Sequence, residues 1–326
     1  MSNPGVGRAH SIAVVGLRAM DVTVEAHVGG GLPGFGVIGS SGAAAREAAD
    51  RVRVALAAID ACPTTRKVLL SLAPADVPKA GARFDLAMAA AVLARLGIVP
   101  QEAVSTCGLL GELSLDARVR PVTGVLPSAA RLAATGRRRL LVAEANAAEA
   151  ALVEDLEVVP VADLAEVRGV LSGTQAARKV SASPSDHVAR PALDMADVRG
   201  QVEARRALEL AAAGGHHLLL IGPPGCGKSM LANRLPGILP PLSRTQALEL
   251  AAIRSVAGLL GDGQTVLDRT PPFRAPHHTT SAAALLGGGS GVARPGELSL
   301  SHRCCFFMDE LFAWSQPLLE ALREPP

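Results

Sequence analysis

The sequence predicts an α/β chain in two domains, the second built on a parallel sheet. Three observations carry that prediction. The chain has 326 residues, and at roughly 100–200 residues per domain that length suggests two. Short apolar runs of strand length alternate with stretches of helical apolar spacing through residues 1–171. Beyond a polar, proline-containing stretch at 172–191, an apolar run at 217–221 leads straight into a glycine-rich loop and a helix pattern.

The elements follow in chain order. Ile12–Val15 and Val22–Val28 are strand candidates, the second alternating apolar and polar residues before the turn Gly29-Gly30-Gly31. Between Ala43 and Ile59, Ala48, Val52, Leu56 and Ile59 fall at helical spacing and form one apolar stripe. Lys67–Leu72 has a buried-strand pattern that ends at Pro74. Asp85 is placed to cap a helix over Leu86–Leu96, with Gly97 to close it. Arg139–Val142 and Glu157–Val161 are further strands. Asn146, followed by Glu149, resembles a capping box opening the helix between them. Asp163–Leu171 is the last helix of this part. Residues 172–191 then lose all apolar periodicity and suit an exposed linker. A second domain, 192–326, opens with a helix over Gln201–Ala213 that ends at Gly214-Gly215.

Composition narrows the function. The chain is 49% apolar and 19% charged, enough apolar surface to build cores and too little charge for a disordered chain. It has 6 Phe, 1 Trp and no Tyr, so cores must be made of Ala, Val and Leu, and aromatic platforms for stacking bases are not expected. With 32 Lys and Arg against 30 Asp and Glu, neither half has the basic excess of a bulk nucleic-acid binder. Any DNA contact must be local or gathered across an oligomer. Arg137, Arg138 and Arg139 form the one basic cluster, read as a solvated strand edge. Five cysteines without C-x-x-C spacing support neither a disulfide framework nor a zinc site. No secretory core and no membrane-length apolar run is visible, so a cytoplasmic, membrane-free setting is expected.

The run His217–Ile221 enters Gly222-Pro223-Pro224-Gly225-Cys226-Gly227-Lys228-Ser229. This matches G-x-x-x-x-G-K-[ST], the Walker A pattern, between a strand pattern and a helix pattern at Met230–Leu235. Glycines let successive backbone N–H groups curl around a phosphate, a nest that helps bind ATP. In such a loop Lys228 reaches the β- and γ-phosphates and Ser229 offers its hydroxyl to Mg2+. Cys226 is read as a passive small residue of the loop.

The site also needs an acid at the end of a neighbouring strand. Cys304-Cys305-Phe306-Phe307-Met308 is an apolar run that ends in Asp309-Glu310, as a strand buried on both faces of a parallel sheet would. Asp309 is assigned to the metal and Glu310 to the attacking water as general base. Cys304 and Cys305 are then strand residues.

Several segments resemble one family in order along nearly the whole chain. They are GLPGFGVIG at 31–39, LAPADVPKAGARFDLAMA at 72–89, GELSLDARVRPVTGVLP at 111–127, DVRGQ at 197–201, the P-loop segment, PFRAPHHTT at 272–280 and PGELSLSH at 295–302. The sequence is similar to the ComM (YifB) family of magnesium-chelatase-like AAA+ ATPases. The resemblance implies a first domain like that of Lon proteases and of ribosomal protein S5, followed by a P-loop AAA+ domain. It implies Val198 beside the adenine, and Gly222, Pro223, Pro224, Gly225, Cys226, Gly227, Lys228, Ser229 and Met230 around the phosphates. It also implies ATP and Mg2+ as cofactors, a homo-hexamer, and DNA remodelling as a helicase or branch migrator. His277 and His278 would lie in a loop facing the ring's pore or its DNA.

Departures from the pattern matter. Laying the Lon-type peptidase pattern on the first domain puts Arg83 where the serine nucleophile belongs and Leu126 where the lysine base belongs, so a scaffold or partner-binding role is expected. Residues 192–326 are also expected to be an AAA+ domain incomplete at its C-terminus, without the later strands, sensor, arginine finger and lid. Two alternatives remain open: a chelatase-type remodeller of a protein partner, and a truncated nucleotide-binding product without turnover.

Overall fold

Two long strands run side by side near the start of the chain, β1 (Gly7–Val15) and β2 (Arg18–Gly29), paired antiparallel in a register that sets Ala9 opposite Val24 and Ser11 opposite Val22. The structure is a computed structural model and describes residues 5–38, 43–79, 81–180, 186–188, 193–260, 267–288 and 293–323. Part of the expected linker 172–191 and the last three residues lie outside that range.

The chain divides into two compact units, one comprising Met1–Pro184 with Arg254–Thr265, the other Ser185–Ile253 with Val266–Pro326. Unit 1 continues with β3 (Gly34–Ile38), α1 (Ala43–Ala58), β4 (Lys67–Ala73), α2 (Asp85–Arg95), α3 (Gln101–Ser105), β5 (Cys107–Leu110), β6 (Glu112–Leu113), β7 (Val119–Arg120), α4 (Val125–Ala134), β8 (Arg139–Ala143), α5 (Glu144–Ala150), β9 (Glu157–Val161) and α6 (Leu164–Ser172). Seven strands form one mixed sheet in the order β3-β4-β2-β1-β5-β8-β9. The pairs β3–β4, β1–β5, β5–β8 and β8–β9 are parallel, and β1–β2 and β2–β4 antiparallel.

The apolar–polar alternation of β2 becomes burial: Val22, Val24, Ala26 and Val28 point into the core. The predicted stripe of Ala48, Val52 and Leu56 in α1, with Ile59 just past its end, is buried. Helix α2 is buried from Asp85 through Leu93, which suits its nearly all-apolar sequence. The core is Ala, Val and Leu, as the composition requires, with Phe84 its one large buried aromatic. A Cβ placed on Gly108 of β5 would lie 2.4 Å from Cδ1 of Leu132. Glycine is what allows α4 to pack so closely on the sheet.

Two expected caps are made differently. Asp85 is the first helical residue, after Phe84, and makes no cap. Its carboxylate instead accepts from Arg51 Nε at 2.7 Å and from the Leu113 amide at 3.3 Å. Asn146 and Glu149 do not close a capping box on α5, whose N-cap is Ala143 with no side-chain bond. They serve other segments: Asn146 accepts from Val122 N–H at 2.8 Å and donates to its carbonyl, and Glu149 accepts from Leu126 N–H at 2.8 Å. Asp163 does cap α6, accepting from Glu166 N–H at 2.8 Å.

Unit 2 contains β10 (Asp186–His187), α7 (Val202–Gly214), α8 (Lys228–Ala232), α9 (Arg244–Ala257, whose last four residues are assigned to unit 1), β11 (Leu267–Asp268), β12 (Phe273–Arg274), α10 (Ala282–Leu286), β13 (Gly287–Gly288), β14 (Arg294–Pro295), α11 (Glu297–Leu300), β15 (Cys305–Phe306) and α12 (Gln316–Ala321). Its strands pair only in twos, and β12–β15 and β10–β11 are parallel. The strand expected at His217–Ile221 does not form: the segment is irregular, and Leu219 and Ile221 are 66% and 87% exposed. A strand needs a ladder partner as well as an apolar run, and among the described residues none pairs with this one. No described helix is long and apolar enough to cross a membrane.

Candidate nucleotide site

The glycine-rich segment turns where its sequence allows. Gly225 and Gly227 adopt φ of 77° and 91°, and Gly227 is the N-cap of α8. Both conformations suit glycine because they cost a residue with a Cβ. Gly222, Pro223, Pro224 and Gly225 face solvent. Lys228, the first residue of α8, folds back across the loop, and its ammonium donates to the carbonyls of Gly222 and Pro223, both at 3.0 Å. The Cys226 sulfur is 3.9 Å from the same ammonium. Met230 is part-exposed, and its methyl lies 3.2 Å from where a Cβ on Gly227 would be.

The first acid of the pair reaches this loop. Ser229 Oγ donates to Asp309 Oδ2 at 2.8 Å. Asp309 follows β15, whose Cys305 and Phe306 sit opposite Phe273 and Arg274 of β12. This ladder is shorter and less buried than the strand expected over Cys304–Met308, which is half-buried throughout. Phe273 and Phe307 stack with ring centroids 5.8 Å apart. Arg274 makes a two-pronged bond to Glu297 at 2.8 and 2.7 Å. Burial pushes the Cys305 thiol up to about 11, which leaves it protonated at neutral pH.

The Asp309 backbone is held from beyond the pair. Trp314, 4% exposed, donates its indole N–H to the Asp309 carbonyl at 3.0 Å. Glu310 adopts φ 50°, the left-handed region that a non-glycine residue enters at a cost. Its carboxylate is largely exposed and lies 3.6 Å from Nδ1 of His278. His277 and His278 tilt against each other with ring centres 4.1 Å apart, and no cluster able to hold a metal occurs among their described neighbours.

Val198 and Gln201 approach from the other side. Val198 is buried in a small apolar cluster with Met195, Leu208 and Leu231 of α8, so its side chain supports the loop's helix from beneath. Gln201 donates from Nε2 to the Cys226 carbonyl at 3.0 Å. The sequence offers Gln201 as a helix start and as the end of the DVRGQ segment, without a role at the loop, and gives Trp314 no part. In unit 1, Arg83 donates to Ser128 Oγ at 2.9 Å, Ser128 donates to the Gly124 carbonyl at 2.6 Å, and Lys79 bonds the carbonyls of Pro74 and Val77. Burial lowers Arg83 to about 10.

The geometry gathers a cation, a hydroxyl and the Asp309 carboxylate at one glycine-rich loop, with Glu310 next in the chain. Ser229 and Asp309 offer hard oxygen donors, the kind that Mg2+ takes. Comparison with known proteins bears on the family. Residues 194–326 match the family model "Magnesium chelatase, subunit ChlI", and residues 24–146 match "Subunit ChlI of Mg-chelatase". An uncharacterized Mycobacterium tuberculosis protein is 48% identical over 321 residues, covering 98% of this chain and 63% of its own length. The Escherichia coli protein YifB is 41% identical, over 97% of this chain and 62% of its own. The competence protein ComM of Haemophilus influenzae is 39% identical, over 97% and 62%. The chain thus spans somewhat under two thirds of the length of the curated relatives it matches. With those identities sustained along almost all of its residues, the chain belongs to the ComM (YifB) family of magnesium-chelatase-like proteins.

Proposed function

We propose that unit 2 binds and hydrolyses ATP and that the whole protein uses the turnover to remodel DNA, by helicase or branch-migration work in transformation and recombination. The observation that carries the nucleotide half of this reading is the bond between Ser229 and Asp309, which joins the P-loop to the acid after β15. Lys228 leaves the Gly222 and Pro223 carbonyls to bind the β- and γ-phosphates. The backbone N–H groups of the non-proline residues between Gly222 and Met230 wrap the phosphates, and the backbone at Val198, whose side chain packs under α8, borders the adenine. Ser229 and Asp309 hold Mg2+, which supplies charge neutralisation for the transferred phosphoryl group. Glu310 accepts the proton of the attacking water. The work is that of a cytoplasmic homo-hexamer, with His277 and His278 on a loop towards the DNA.

Unit 1 is a Lon-like, S5-type scaffold or partner-binding domain on this reading. Arg83 cannot act as nucleophile or base at neutral pH. The test is ATP hydrolysis by the purified chain with and without DNA, beside Lys228→Ala. DNA-stimulated turnover that the variant lacks supports the proposal. ATP turnover indifferent to DNA sinks its DNA half, and turnover indifferent to Lys228→Ala sinks the site.

A second reading is nucleotide binding without turnover by this chain. The exposed Leu219 and Ile221 beside the loop favour it, because a P-loop is best fixed when the strand feeding it is held in a sheet. ATP binding with no hydrolysis would select it.

A further inference from the structure

Gln201 stands out by three features. It is one of few non-glycine residues in the left-handed region, at φ 50° and ψ 38°. It follows Gly200 at φ 67°, so two successive left-handed residues set the chain's entry into α7. Although it is the N-cap of α7, its side chain makes no capping bond there. The amide reaches instead to a residue 25 positions on, donating to the Cys226 carbonyl at 3.0 Å. The backbone cost of the left-handed conformation and the forgone cap both serve that one contact.

We propose that Gln201 is a positioning residue for the phosphate-binding loop, holding the Cys226–Gly227 peptide so that the Gly227 N–H faces a bound nucleotide's phosphates. A trans peptide points its C=O and N–H to opposite sides. Fixing the Cys226 carbonyl on Gln201 therefore fixes the Gly227 N–H on the far side, where a nest requires its donors. Lys228 also holds the carbonyls of Gly222 and Pro223, and it must release them to reach phosphate. The Gln201 bond makes no such demand and persists through binding.

The inference rests on the nucleotide reading, and one titration separates their fates. Fluorescent ADP with Mg2+ is titrated into the whole chain as wild type, Gln201→Gly, Gln201→Glu and Lys228→Ala, and each melting temperature is recorded. Gln201→Gly keeps the backbone conformation at lower cost but lacks the amide. Gln201→Glu keeps the length and replaces the donor by an acceptor. Both should weaken ADP binding by about five- to tenfold, the value of one hydrogen bond, while Gln201→Gly melts no lower than wild type. Wild-type binding that both variants retain overturns the inference and leaves the nucleotide reading standing. Affinity that falls only in step with melting temperature also overturns it, by making Gln201 a merely structural residue. A wild type that binds no ADP overturns the nucleotide reading, and this inference with it.

Discussion

Ser229 and Asp309, eighty residues apart, meet through a 2.8 Å hydrogen bond from hydroxyl to carboxylate. The first belongs to α8 and the second follows β15, so the contact brings two separate sequence patterns into one site. Trp314 holds the Asp309 carbonyl from behind, which limits how far the carboxylate can drift.

Removing either partner should uncouple nucleotide binding from Mg2+. Ser229→Ala and Asp309→Ala are each expected to lose about tenfold in Mg2+-dependent ATP affinity, ~1.4 kcal/mol, with little change when Mg2+ is replaced by chelator. The double variant should lose less than the sum, as groups in contact do. Calorimetric titration with and without Mg2+ reads all three.

Glu310 has a different duty and should give a different defect. In any assembly with measurable turnover, Glu310→Gln is expected to bind ATP as wild type does and to hydrolyse it about a hundredfold more slowly, within the range for loss of a general base. Steady-state kcat against ATP affinity separates the two effects. Equal losses in both would assign Glu310 to binding.

The buried pair in unit 1 predicts a pH effect with a definite sign. Burial raises the Asp85 carboxyl to about 6, despite the opposing bonds from Arg51 and the Leu113 amide. Unfolded, it titrates near 4. Between those values the folded chain holds the proton more tightly, so this group's contribution to stability falls as pH rises from about 4 to about 6. Urea unfolding at pH 4.5 and 7 should show that fall in the wild type. Asp85→Asn has no proton to lose, and its pH difference should be smaller by about 1–3 kcal/mol.

Gly108 offers a test of packing. Leu132 presents Cδ1, Cδ2 and Cγ at 2.4, 2.9 and 3.2 Å from a Cβ at that position, and it is fully buried, so any shift of its side chain disturbs packed neighbours. Gly108→Ala should therefore destabilise unit 1 by about 1–3 kcal/mol, the usual cost of overpacking. Chemical denaturation measures it.

What was legible in the sequence follows a physical division. The glycine-rich loop could be read because its chemistry lies in backbone conformation and fixed spacing, and Gly225 and Gly227 take the left-handed turns that spacing implies. The buried faces of β2 and α1 could be read because burial follows period. Partners distant in sequence could not. Asp85 and Asn146 look like caps in their local context, but Arg51, Leu113 and Val122 compete for them and win. The run His217–Ile221 has a strand's composition, yet composition supplies no ladder. Gln201 closes the DVRGQ segment, but nothing in that segment announces its bond to Cys226, 25 residues on.

The account's central claim is that the loop from Gly222 to Ser229 binds ATP through Lys228. Equilibrium titration of Mg2+-ATP into the wild-type chain and Lys228→Ala, with melting temperatures to confirm both are folded, tests it most directly. The account predicts saturable binding by the wild type and a loss of at least about tenfold in the variant, ~1.4 kcal/mol. Equal affinity in the two folded proteins, or no binding by the wild type, would contradict it.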